Sequence, residues 1–472
     1  MQLFRKKSID ASIQTSRQGT QLKRELKATD LAMLGIGAII GTGIFVLTGV
    51  GSLTAGPALI LSFVIAGLAC LFAALAYAEF SSLVPVSGSV YTYSYATLGE
   101  FVAWIIGWDL VLEYLLAVSA VSSGWSGYFK SLLEGFGIHL PAALTNAPGG
   151  SVPGAIVNLP ALVIVLIITF LLSIGVKESK WVNNIMVAIK LIVVALFIIV
   201  GIFYVKPAHW SPFMPFGFSG VGLAAATVFF AYLGFDAVTT AAEETRDPQK
   251  DLPKGILWSL GICTFLYIIV TAILTGIVPY QNFASHQDAP VAFAMQFVHQ
   301  NWLVGLISLG ALVGMFTVML VMLYGQIRII FSMSRDGLLP PIFSHVHQRY
   351  RTPYVTTWSF GIFAALLGAF VPLDELAQLV NLGTLAAFVL ISIAVMVLRY
   401  KQPDLPRKFK TPLMPLVPIL AIIFCVFLMV QLHEATWIRF LIWLAVGLII
   451  YFIYGYHSSN LNKRKSDEQK AG

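Results

Sequence analysis

Charge is what this 472-residue chain has least of: Asp, Glu, Lys and Arg together make up only 11% of it. Soluble domains carry roughly 25%, so a chain of this length would lack the polar residues to cover a water-facing surface. Cysteine is nearly absent. Cys70, Cys263 and Cys425 all sit inside apolar runs at no metal-like spacing, which excludes a disulfide framework and a zinc site and leaves small packing residues. His209, His286, His299, His345 and His347 fall in expected loops, with no HExxH pattern or cysteine partner. No Walker A loop or nucleophile elbow occurs either. The chain is therefore read as neither an ATP-driven pump nor an enzyme, and no metal or organic cofactor is expected.

What is present is apolar sequence, 58% of the residues, with a mean hydropathy of +0.84. Runs long enough to cross a bilayer centre near residues 40, 68, 115, 165, 192, 230, 267, 318, 362, 388, 422 and 446. This predicts an all-α polytopic membrane protein of twelve spans. The polar, basic N-terminal stretch is read as no secretory signal peptide. Of the 29 Lys and Arg residues, 25 fall in the two tails and the alternate loops on their side, three (Lys130, Lys206, Arg439) fall on the other, and Lys190 alone lies within a span. The positive-inside rule then places both termini in the cytoplasm. The net charge of +7 is a topology signal with some contact to anionic membrane lipid, and no nucleic-acid partner is implied.

The first span contains Gly35, Gly37, Gly41 and Gly43. Each weakens a helix interior by roughly 1 kcal/mol relative to Ala, and non-helical backbone at membrane depth survives only where it is buried in protein or lines a cavity. A break at Gly41-Thr42-Gly43 would turn free N–H groups and a positive dipole end toward a buried site suited to a carboxylate. Close helix packing on glycine is the plainer alternative. The sixth span carries Ala231–Gly234 at a similar depth but enters from the opposite side. Paired interruptions in two inverted halves point to a substrate site between them. The expected division is a tail (1–27), spans one to five (28–205), spans six to ten (206–400), two further peripheral spans (401–458) and a second tail (459–472). The connection Tyr77–Tyr91, which has no Lys or Arg, reads as a short interfacial helix.

Lys190 is the sharpest polar residue, since a buried ammonium costs at least ~2.5 kcal/mol on insertion scales. It is read as a titratable proton site whose charge braces broken-helix carbonyls, against the alternative of a permanently paired structural lysine. Asp236 could cap the second break or pair with a cation. Asp109 and Glu113 share one face of the third span, and Glu113, the deeper, suits a proton relay. Met315, Met319 and Met322 form one stripe of the eighth span; facing a cavity, they would narrow it for a small substrate. Phe230 would then be an aromatic gate.

Several motifs occur in order: Gly41-Thr-Gly43, Ala78-Glu79 with Pro85-Val-Ser-Gly88, Phe230-Ala-Tyr-Leu-Gly-Phe-Asp236, Glu243-Glu-Thr-Arg-Asp-Pro248, Ser334-Arg-Asp-Gly-Leu-Leu-Pro340 and Asn381-Leu-Gly-Thr384. Together they resemble the amino acid–polyamine–organocation superfamily, and within it bacterial members of the cationic amino acid transporter family. The resemblance implies a LeuT-type fold, a 5+5 inverted repeat with two C-terminal helices. It implies substrate carboxylate binding by N–H groups around Ile40, Thr42 and Gly43, and ammonium binding by the carbonyls of Phe230, Ala231 and Leu233. It matches Lys190 to a lysine that stands in for a sodium ion in proton-coupled relatives. No extra carboxylate is expected in the pocket, and Met319 and Met322 would line it. The function expected is a proton-coupled symporter of the bacterial inner membrane for a small neutral L-amino acid such as alanine, with Lys190, Glu113 and Asp236 carrying the coupling. An exchanger and an arginine or lysine transporter are the alternatives, and a nutrient sensor a remote one. An accessory membrane subunit is left open.

Overall fold

A computed structural model describes residues 5–6, 25–83, 89–150, 152–175, 180–401, 403–404 and 407–462. The motif Pro85–Gly88, Lys177 and most of both basic tails lie outside the described residues. Among those described there is no strand; two isolated bridges pair Leu26 with Thr245 and Thr145 with Asn158.

The chain folds as α1 (Ala28–Ile39), α2 (Leu47–Ala55), α3 (Leu59–Leu83), α4 (Ser89–Thr97), α5 (Glu100–Gly135), α6 (Leu159–Ser173), α7 (Lys180–Gly201), α8 (Gly217–Val228), α9 (Pro248–Ile277), α10 (Asn301–Arg335), α11 (Tyr354–Phe370), α12 (Leu373–Lys401), α13 (Leu416–Val430) and α14 (Glu434–Ile450), with shorter turns between. Among the described residues, eight stretches are long and apolar enough to cross a membrane, and four shorter apolar helices accompany them. The third expected span, placed near 98–128 by sequence, runs to Gly135, because nothing in Tyr128–Glu134 opposes helix. At ~1.5 Å per residue its 36 residues exceed a ~30 Å hydrocarbon core, so α5 is tilted or projects beyond it.

Helix α5 is the central post. It packs against α10 and α12 along most of its length and touches α6, α11 and α14. A second group joins α1, α3 and α9. Small residues set the distances. A methyl on Gly325 would come within 2.6 Å of Tyr114, and one on Gly310 within 2.5 Å of Val193, which is how glycine lets helices approach without a large apolar driving force between them. Helices α13 and α14 expose Ile423, Val430, Ile438, Leu441 and Ile442, as lipid-facing peripheral helices do. Of the stretch expected to form a short interfacial helix, Tyr77–Leu83 instead completes α3 and 84–88 lie outside the described residues; a separate helix, α4, begins at Ser89, with Val90, Tyr91, Tyr93 and Tyr95 buried.

Two helices are interrupted at matched depth. Both α1 and α8 run for 12 residues before they stop. After α1, Ile40 is extended and Gly41 adopts φ −162° with ψ −131°, before a short turn Thr42–Phe45 resumes the helix toward α2. After α8, a tight 3₁₀ turn Phe229–Tyr232 leads to extended Leu233 and to Gly234 at φ +105°. A 3₁₀ stretch Phe235–Glu244 then continues.

Candidate functional site

The two interruptions touch. A methyl on Gly43 would lie 2.3 Å from the Ala231 Cα, so only glycine lets the first break rest against the second. Gly234 meets two demands at once: its positive φ is open to glycine at little cost, and a side chain there would come within 2.9 Å of the Ala38 carbonyl oxygen. Across from the first break, α10 presents Val318 and Met315 to Gly41.

A helix that stops inside a membrane leaves its last carbonyls without helical donors, and those of Gly37, Ile39 and Ile40 find donors elsewhere in the fold. Ile36 O still takes the Ile40 N–H, at 2.9 Å. The Lys190 Nζ donates to Gly37 O at 2.6 Å and to Ile40 O at 3.1 Å. The Tyr267 hydroxyl lies 3.1 Å from Ile39 O and 2.7 Å from Ala231 O, so one phenol joins both breaks. Lys190 is wholly buried on α7, its alkyl stem against Gly314 of α10.

The other sequence-predicted residues distribute as follows. Because the Ile40 N–H is engaged within α1, what Ile40 brings to the break is its carbonyl, and the amides that begin the new turn are those from Thr42 and Gly43 onward. The Thr42 hydroxyl is buried beside Gly124 with no hydrogen-bond partner among the described residues. Phe230, Ala231 and Leu233 are all buried at the second break. Phe230 O accepts from the Leu233 N–H at 3.2 Å, and Ala231 O faces Tyr267 as above. Met319 and Met322 are buried on α10; the residues of that helix that meet Gly41 are Val318 and their stripe-mate Met315.

The acids form a group of their own. Asp236, directly after the second break, accepts the Tyr114 hydroxyl at 2.7 Å, with backbone amides of Gly234, Asp236 and Ala237 turned toward its carboxyl. Glu113, the neighbour of Tyr114 on α5, is buried within electrostatic reach of both Asp236 and Asp109 and within hydrogen-bond reach of the Thr384 hydroxyl on α12. Asn381, one turn before Thr384, donates to Ala226 O at 2.7 Å and Thr227 O at 3.2 Å near the end of α8. Sequence reading missed Tyr267 altogether. The available signal was a phenol at the centre of a membrane span, among the smaller hydroxyls of Ser259, Thr264, Thr271 and Thr275, which glycine-based reasoning passes over.

Two interrupted helices are thus in contact within a helical body, with a buried lysine on the carbonyls of the first. A family described as amino acid permease matches residues 26–453. The chain belongs to the amino acid permease family. It is accordingly a multi-pass cell-membrane protein and a transporter of amino acids. Among curated relatives, the branched-chain amino acid permease BcaP of Bacillus subtilis (strain 168) is 64% identical over 98% of this chain and 99% of its own length. The methylthioribose transporter of the same organism is 56% identical over 98% and 99%. The vacuolar cationic amino acid transporter 2 of Arabidopsis thaliana is 41% identical over 85% of this chain and 64% of its own. Within this permease the two breaks, Lys190 and Tyr267 make up the candidate site.

Proposed function

We propose that this permease is a proton-coupled symporter of neutral aliphatic L-amino acids, working by alternating access between twelve spans with both termini cytoplasmic. The observation that carries the reading is the Lys190 ammonium on Gly37 O and Ile40 O. A cation fixed covalently at the seam of the broken helix supplies the charge that a bound metal ion would otherwise bring, which makes the proton the natural coupling ion.

The amides of Thr42 and Gly43 would receive the substrate carboxylate at the positive end of the resumed helix. The Ala231 and Leu233 carbonyls, with Phe230, would receive the ammonium. The Ala231 carbonyl already accepts from Tyr267 and would take the ammonium on its second lone pair, so the substrate would bind at the contact that links the two breaks. Met319, Met322 and Phe230 would surround the side chain. No acid has been placed there to pair with an arginine or lysine side chain, which favours a neutral substrate. Sequence alone favoured alanine; the name of the 64% identical relative moves the preference to leucine, isoleucine and valine. Lys190, Glu113 and Asp236 would exchange the coupled proton as the breaks separate.

The test is uptake of radiolabelled L-leucine into proteoliposomes, with and without an inward proton gradient, competed by valine, alanine, arginine and methylthioribose. Gradient-driven leucine accumulation, blocked by valine more than by alanine and not by arginine, is expected. Uptake that requires preloaded amino acid would make the protein an exchanger. Dominant competition by arginine or by methylthioribose would overturn the substrate class.

A further inference from the structure

Asp109 lies on α5 one turn from Glu113. It is only 3% exposed, and neither of its carboxyl oxygens has a hydrogen-bond partner among the described residues. Its position is tightly defined: a methyl on Gly383 of α12 would lie 2.8 Å from Asp109 Oδ1, and the Phe440 ring of α14 borders the same point. The following residue of α12, Thr384, is the one that reaches Glu113. The two acids of α5 therefore face two consecutive residues of α12.

Among the described residues, Asp109 has no ion-pair partner, and what borders its carboxyl is Gly383 of α12 and the Phe440 ring of α14. The ionisable groups nearby are Glu113 and, beyond it, Asp236 with Tyr114. An ionised carboxylate so placed would lack both donor and cation, a situation that proteins do not sustain in an apolar interior. A purely structural residue at this point would be better served by Asn or Leu.

We infer that Asp109 is a proton-carrying residue of the transport cycle, the station after Glu113 on the side of α5 that leads to its Glu100 end. The inference rests on the proton-coupled reading above. Side chains one helical turn apart sit about 5–6 Å from each other at Cβ, a gap that one water molecule spans. The transfer conserves charge. A proton leaves Glu113, whose O–H electron pair stays behind as carboxylate; Asp109 gives its own proton to a water molecule on its Glu100 side, which carries it off as hydronium, and the Asp109 carboxylate takes up the proton that Glu113 released. One proton has then moved along α5 while Asp109 is again neutral, and reprotonation of Glu113 from Asp236 resets the pair.

The full-length protein in proteoliposomes tests this. For Asp109→Asn we expect leucine counterflow at the parental rate, a loss of about tenfold or more in gradient-driven accumulation, and the disappearance of one protonated-carboxyl stretch from the infrared difference spectrum. Parental accumulation by Asp109→Asn, or an unchanged infrared spectrum, would overturn the proposal. Should that variant not fold, Gly383→Ala keeps the acid but places a methyl against it. A shifted carboxyl band with reduced accumulation is expected there, and an unchanged band with full accumulation overturns it. The two readings separate cleanly: a parent that exchanges leucine but ignores the gradient sinks proton coupling itself. A gradient-driven parent whose Asp109→Asn form is equally gradient-driven sinks Asp109 alone.

Discussion

Single side chains at the breaks carry more than one contact each, so their removal has graded, separable effects. Tyr267→Phe leaves Ala231 O and Ile39 O without their shared donor. A buried acceptor stripped of its partner costs ~1–3 kcal/mol, so the variant's melting temperature in detergent should fall while expression persists, and leucine should protect it less than the parent. Lys190→Ala removes the donor from Gly37 O and Ile40 O along with the fixed charge; accumulation under an imposed proton gradient should vanish. Substantial concentrative uptake by that variant would refute a coupling role. Lys190 stood out in the sequence because an ammonium among Ile and Leu residues has no inexpensive explanation. Tyr267 did not, because a phenol is ordinary in an apolar helix and its importance arises only from carbonyls in two distant segments.

At the scale of helices, the interruptions were legible to different degrees. Four glycines in nine residues mark the first break plainly, and the structure stops α1 at Ile39, just ahead of Gly41. The second had only Gly234 to announce it. Its 3₁₀ turn at Phe229–Tyr232 answers to contacts with the Thr42–Phe45 turn, α3 and α9 rather than to local propensity. Gly234→Ala should therefore be severe for a surface-neutral change. A left-handed backbone costs an L-residue ~1–2 kcal/mol, and the added methyl would also press on Ala38 O. Thermal melts should show a loss larger than for Gly261→Ala, a glycine in α9 with open space where its methyl would go. Gly43→Ala should abolish uptake, since the atom it strikes is backbone at Ala231 and cannot rotate away.

Across the whole molecule, the contacts that hold the ends of the bundle together join residues too far apart in sequence to be paired by inspection. Glu79, at the end of α3, is buried and takes the Arg399 guanidinium in two bonds of 2.8 Å each. It also lies 3.2 Å from Arg407 Nε and accepts the Thr411 N–H at 2.7 Å. Sequence reading had Glu79 only as part of a family motif. Breaking a buried charge cluster by removing one member costs on the order of 3 kcal/mol, so Glu79→Gln should lower the melting temperature and expose Arg407 to trypsin. A second carboxylate, Glu100 at the start of α5, has a different character. It receives Tyr95 at 3.0 Å from nearby in the chain, Tyr451 at 3.1 Å and Ser459 at 2.5 Å from its far end, and it pairs with Arg5 at 3.5 Å from its beginning. The order of synthesis gives this meeting point a meaning in time. When α5 leaves the ribosome, Glu100 has Arg5 and Tyr95 for company, and it waits for Tyr451, 351 residues further on, and for Ser459. A nascent chain that stalls or is cut short thus holds Glu100 by Arg5 and Tyr95 alone, and the later donors close over it only in the finished chain.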